Sequence, residues 1–233
     1  MAGANIGESS MAERFSDYVH RRATPIWDAQ LQHPFVQGIG AGTLDAEKFQ
    51  YWVKQDYLYL IDYARLFALA VAKAPDLDAM TKFAELVHAV LNVEMDLHRS
   101  YAREWSISAE DLEKTPKAPT CQAYTDFLLR TAALGSFAEL VGALLPCMWG
   151  YCQIGLTLAK RGMPADPRYV KWIRMYSAPE FVELTEWMRN LMDRVAAGLS
   201  HEELQRIEEA FLTSSRFEHA FWDMAYRLEQ WSV

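Results

Sequence analysis

Apolar residues recur at three- and four-residue intervals through almost the whole chain, and no run alternates convincingly with period two. That pattern builds helices with one buried stripe and leaves nothing to form a half-buried sheet. Eleven glycines and nine prolines in 233 residues are too few for the frequent tight turns of an all-β protein. With 51% hydrophobic and 23% charged residues, the chain is rich enough in apolar side chains to bury a core. The expected fold is therefore all-α: a single-domain helical bundle over residues 11–233, preceded by a flexible tail at 1–10.

Punctuation along the chain sets the expected helices. Ser10-Met-Ala-Glu13 has the form of a capping box and opens a helix toward Gln32, with Pro25 a kink or restart. His33-Pro34 and the glycines at 38, 40 and 42 predict a loop. Asp45 starts a long helix that Pro75 closes, and a third runs from about Asp78 to Trp105. Residues 113–120, with Pro116 and Pro119, form the clearest connector. Helices follow from Thr120 to about Ala133 and from Ser136 to Arg161. Pro167 and Pro179 suit first-turn positions of two more, the second ending at Gly198. Ser200-His-Glu-Glu203 repeats the capping box and opens a last helix to about Trp231.

Charge narrows the partners. The formal net charge is −8, and no basic cluster exceeds His20-Arg21-Arg22, a poor match to a phosphate backbone. Nucleic acid is not expected. The longest apolar stretch, Leu140 to Cys152, is interrupted by Gly142, Pro146 and Gly150 and is too short to span a bilayer, so no membrane partner is expected. The first residues lack a basic segment followed by an apolar one. Three cysteines, Cys121, Cys147 and Cys152, show no disulfide framework, which suits a reduced, cytoplasmic protein.

Phosphate-loop, zinc-protease, paired CxxC and nucleophile-elbow motifs are all missing. Glu85-Leu-Val-His88 is one E-x-x-H match where a di-iron bundle needs two, and Glu94-Met-Asp-Leu-His98 is one residue too long. A solvated Glu85 and a hydrogen-bonded His88 explain the first match as well. His20 is a conceivable haem ligand, though a lone helical histidine rarely serves so. Asp56 and Tyr59, three apart, share a helix face continuing through Leu60 and Tyr63, so Asp56 either points inward among tyrosines or lies on the exposed surface. Cys147 follows Pro146, and Tyr151, four residues on, lies only about 40° around the helix, so both can face one cavity, whereas Cys152 points away. Spacing alone favours a buried, inert Cys147 over a nucleophile. Glu218 shares a face with Phe221 and Trp222; it is either an acid with a raised pKa or a side chain snorkelling at the core edge.

Seven blocks together resemble the TenA family, the thiaminase II group of the haem-oxygenase-like all-α superfamily. They are HPFVQGIGAGTL at 33–44, YWVKQDYLYL at 51–60, EMDLHRSYA at 94–102, APTCQAYTDFL at 118–128, FAELVGALLPCMWGY at 137–151, YVKWIRMYS at 169–177 and SSRFEHAFWDMAYRLEQW at 214–231. The resemblance implies a haem-oxygenase-like bundle and a hydrolase of thiamin salvage. Such an enzyme converts 4-amino-5-aminomethyl-2-methylpyrimidine, and thiamin in many members, to 4-amino-5-hydroxymethyl-2-methylpyrimidine.

Family members divide by whether a cysteine follows the proline of the fifth block, and here Cys147 does. By that match Cys147 is the nucleophile and Glu218 the acid/base, while Asp56 hydrogen-bonds the pyrimidine ring nitrogen and exocyclic amine. Tyr59, Tyr124, Tyr151, Tyr176 and Phe221 complete the pocket. The chemistry needs no metal and no cofactor, and the similarity suggests a homotetramer. Where the family often has a glycine pair after Tyr176, this chain has Ser177-Ala178. Two alternatives stand beside this. One is a redox enzyme of the same superfamily using haem, di-iron or a quinone precursor, against which the missing second E-x-x-H counts. The other is a non-catalytic pyrimidine-binding regulator, against which the full residue set counts.

Overall fold

The structure is a computed structural model and describes residues 13–233. The described residues form helices and no strand. In chain order they are α1 (Phe15–Gln32), α2 (Pro34–Ala41), α3 (Ala46–Lys73), α4 (Leu77–Ala89), a π-helical turn (Val90–Glu94), α5 (Met95–Glu104) and α6 (Ala109–Lys114). There follow α7 (Pro119–Leu134), α8 (Phe137–Arg161), α9 (Pro167–Tyr176), α10 (Pro179–Ala196) and α11 (His201–Arg227).

Most starts have a local cause. Asp45 accepts the Glu47 N–H, Ser136 accepts the Glu139 N–H, and Ser200 with Glu203 forms the expected capping box. Pro167 and Pro179 occupy first-turn positions, where their missing N–H has no partner to lose.

Five stretches differ from expectation. The segment 33–42 is helical, not a loop: Pro34 opens α2, the His33 ring accepts the Phe35 N–H, and Gly42 closes it at φ +72°. Pro25 does not restart the helix, since α1 runs through it. The helix expected over 78–105 is split by the π turn, and part of the 113–120 connector is the end of α6. Finally, α11 stops at Arg227, where Leu228 turns left-handed. The capping box at Ser10 and the tail at 1–10 lie outside the described residues; Glu13 pairs with Arg21.

The buried apolar side chains join into one core running from Val19 to Ala225. Helix α8 is its axis, in contact with α11, α10, α9 and α7. At 25 residues it is long and apolar enough to cross a membrane, contrary to the shorter stretch read from the sequence, but 72% of its apolar window is buried inside the fold. Pro146 lies inside this helix, which runs through it unbroken.

Two glycines of α8 set how close its neighbours come. A Cβ at Gly142 would lie 2.8 Å from Ile207 Cγ2 and 3.0 Å from the Ile207 carbonyl oxygen on α11. A Cβ at Gly155 would lie 2.7 Å from the Tyr176 carbonyl carbon at the end of α9. Their absent side chains bring α11 and α9 against the cysteine-bearing stretch of α8.

Candidate active site

A cavity of about 300 Å³ opens where α3, the π turn, α8, α9 and α10 meet. Asp56, Tyr59 and Tyr63 enter from α3, Cys147 and Tyr151 from α8, and Tyr176 from α9. The i, i+3, i+4 and i, i+4 spacings read from the sequence therefore do put these side chains in one space. Cys147 keeps partial exposure, into the cavity it lines, while Cys121 and Cys152 are buried. Cys152 faces an outer groove with Trp149, Thr185 and Arg189, as its offset around α8 requires.

Glu218, Tyr124 and Phe221 do not line the cavity; they form the wall behind it. Glu218 is only 2% exposed, so it is no snorkelling side chain. It lies beside the Cys147 thiol and accepts a 2.5 Å hydrogen bond from the Tyr124 hydroxyl, which also lies 2.8 Å from Ser214 Oγ. Burial pushes the Glu218 carboxyl up to about 8 against the lowering effect of the Tyr124 bond. Burial also pushes the Cys147 thiol well above its ordinary value, and the adjacent carboxyl adds to this. Two anions side by side in an apolar wall are costly, so the pair holds its protons.

Aromatic rings pack the rest of the wall. Tyr59 stacks on Tyr63 at 5.3 Å between centroids and meets Phe221 edge-on at 5.7 Å. Tyr151 meets Tyr176 edge-on at 4.8 Å, and Tyr124 stacks on Phe217 at 5.1 Å. The buried Tyr59 hydroxyl has no hydrogen-bond partner among the described residues, although Cys147 is close by. Such an orphaned donor marks a place where a polar ligand atom fits.

Asp56 points inward and is 4% exposed. Its Oδ2 lies 2.6 Å from His98 Nε2, and His98 is fully buried. His98 Nδ1 lies 2.9 Å from the Glu94 carbonyl oxygen, which can only accept, so Nδ1 carries a proton. Burial alone would lower the imidazole pKa; the hydrogen bond and charge of Asp56 outweigh it, and the net shift is upward.

Sequence reasoning missed His98 and Glu94. It tested their spacing only as an E-x-x-H ligand pair, and four-residue spacing instead lets the histidine ring bond the backbone one turn earlier. Glu85 and His88 are exposed, as the solvated alternative holds. His20 bonds Gln153 and stacks on Trp149 away from the cavity. Among the described residues no three His, Cys, Asp or Glu side chains converge as a metal site.

The Aminopyrimidine aminohydrolase of Halalkalibacterium halodurans is 50% identical over 221 residues, covering 94% of this chain and 98% of that protein. The solved TenA homologue from P. horikoshii OT3 superposes with a TM-score of 0.85 at 33% identity, covering 92% of this chain and 99% of that one. A Shewanella denitrificans domain described as having a heme oxygenase-like fold, at 15% identity and TM-score 0.70, shares the fold alone. Residues 20–228 match the TENA/THI-4/PQQC family. The chain belongs to that family.

Proposed function

We propose that this protein is an aminopyrimidine aminohydrolase of thiamin salvage, with Cys147 as nucleophile and Glu218 as its acid/base. The reading is carried by Cys147, which lines one small aromatic-walled cavity, and by Glu218 beside its thiol in the wall behind. The substrate is 4-amino-5-aminomethyl-2-methylpyrimidine, and thiamin presents the same pyrimidine half. A homotetramer, which rests on the family resemblance, and a cytoplasmic location, which rests on the cysteine pattern, belong to the same reading.

The residue chemistry follows from the protonated pair. Expelling a group from the methylene of an intact aromatic ring is slow. Adding sulfur to a ring carbon breaks the aromaticity and supplies the electron pair. A neutral Glu218 gives its proton to a ring nitrogen as it takes the thiol proton of Cys147, so sulfur attacks without both groups being anionic together. The C–N bond of the substituent then breaks, its electron pair leaving with ammonia. Water adds to the methylene and gives up a proton, the C–S bond breaks, and the ring nitrogen proton is released as the thiol and the acid are restored. Asp56, held by His98, accepts from the exocyclic amine, and Tyr59 supplies its free hydroxyl to the bound ring. Tyr151 and Tyr176 flank the ring as apolar walls.

The test is product formation by the purified protein. Incubation with the aminomethylpyrimidine is expected to release ammonia and the hydroxymethylpyrimidine in equal amounts. Binding of the hydroxymethylpyrimidine without release of either product would instead support the regulator.

A further inference from the structure

One carboxyl in the cavity has no task in this scheme. The π turn at Val90–Glu94 adds a residue to the register between α4 and α5, with the Met95 N–H bonding the Val90 carbonyl five residues back. Leu91, Asn92 and Val93 remain exposed, while Glu94 turns into the cavity. Its Oε1 accepts a 3.1 Å hydrogen bond from the Tyr176 hydroxyl, and no described residue bonds Oε2. No Lys or Arg among the described residues pairs with it. Asp56 has the His98 imidazole as its counter-charge, and Glu94 has none of its own. The described cavity lining includes the carboxyls of Asp56, Glu94 and, at the exposed N-terminal end of α10, Glu180, and it contains no lysine or arginine. A half-buried carboxylate aimed into a space lined this way is costly until a cation arrives.

We infer that the Glu94 carboxylate recognises the positive charge on the departing substituent, an ammonium or a quaternary ring nitrogen, and so selects cationic substrates over neutral or phosphate-bearing ones. This rests on the hydrolase reading. The aminomethyl group is a primary amine, protonated near neutral pH. Bound as an ammonium it needs no further acid at nitrogen: the C–N bond breaks, the pair goes to nitrogen, and ammonia departs. A thiazolium likewise leaves as a neutral thiazole, its ring nitrogen taking the pair. The hydroxymethyl product carries no charge at this position, so Glu94 holds substrate and lets product go. A phosphate-bearing substituent would bring its own negative charge to Glu94 and Glu180.

Binding also moves a proton. Burial and the Asp56 charge raise the Glu94 carboxyl to about 7, against the lowering effects of His98 and the Tyr176 hydrogen bond. Cys147 faces the same space from α8 and Glu180 from α10. A cation set against Glu94 favours its ionised form, so cationic ligands release a proton on binding and the neutral product does not.

Glu94→Gln keeps an acceptor for Tyr176 and removes the charge. Its KM for the aminomethylpyrimidine is expected to rise about 10- to 100-fold, the scale of one buried charge-assisted hydrogen bond. The inhibition constant of the hydroxymethylpyrimidine should stay the same, which also shows that the variant is folded. Calorimetry at pH 7 in two buffers should show proton release on substrate binding to wild type and none for the variant. An unchanged KM, or product affinity falling by the same factor, overturns the assignment while leaving the hydrolase intact. If wild type forms no product from either substrate, the hydrolase reading falls and this inference with it.

Discussion

His98 Nε2 lies 2.6 Å from Asp56 Oδ2, while the opposite ring nitrogen is tied to the Glu94 carbonyl. The imidazole is thus fixed at both ends, and the second Asp56 oxygen makes no hydrogen bond to any described residue. A carboxylate held this way presents one free acceptor at a defined angle, which suits an exocyclic amine.

The pair can be taken apart. His98→Leu leaves the Asp56 carboxyl buried without its partner and is expected to cost about 3–5 kcal/mol in denaturant unfolding. The double variant Asp56→Asn, His98→Leu should recover part of that loss, because the stranded charge is gone. A single variant as stable as wild type would show that the contact carries no such coupling.

Glu218 gives stability a definite pH dependence. Its folded pKa of about 8 lies above the ordinary carboxyl value of 4.5, so the native state holds a proton that the unfolded state has released. This stabilisation is complete below about 4.5 and is lost as pH rises toward about 8. Glu94 and His98 contribute with the same sign. Glu218→Gln should flatten the fall of Tm between pH 5 and pH 8 relative to wild type. Parallel Tm curves for the two proteins would contradict the buried, protonated acid.

Activity should carry the same signature on its alkaline side. If the neutral carboxyl is the proton donor, kcat/KM falls above about pH 8. The Tyr124 hydrogen bond lowers the Glu218 pKa, so Tyr124→Phe should move this limb to higher pH and reduce the plateau rate. A limb that stays in place in Tyr124→Phe would detach it from Glu218.

Gly155 is expected to matter through Tyr176. A methyl group there meets backbone atoms at 2.7 and 2.8 Å, not the end of a flexible side chain, so α9 must shift. Gly155→Ala should cost about 1–3 kcal/mol and raise KM. Gly142→Ala presses on Ile207 and should lower kcat by moving α11, which carries Glu218, away from Cys147. Wild-type kinetics in both variants would show that the glycines do not set these positions.

How far the sequence discloses this molecule depends on the range of the interaction. The starts of α3, α8, α9, α10 and α11 are legible because a cap or a first-turn proline acts within a few residues. The shared face of Asp56 and Tyr59, and of Cys147 and Tyr151, follows from helical spacing in the same way. Helix α2 is hidden because its glycines, which read as loop, serve close packing: a Cβ at Gly40 would strike Leu158, and one at Gly38 would press on Leu44. The π turn has no local signature, and without it Glu94 looks like one more surface acid. Whether Asp56 and Glu218 face inward could not be settled within one helix. His98 comes from α5 and Tyr124 from α7, and those distant elements make the two carboxyls bearable in the interior.

The most direct measurement is turnover by Cys147→Ser alongside its affinity for the hydroxymethylpyrimidine. The account predicts that product formation from the aminomethylpyrimidine falls by at least about 1,000-fold while product affinity stays near the wild-type value. Turnover at the wild-type rate in that variant would contradict the account.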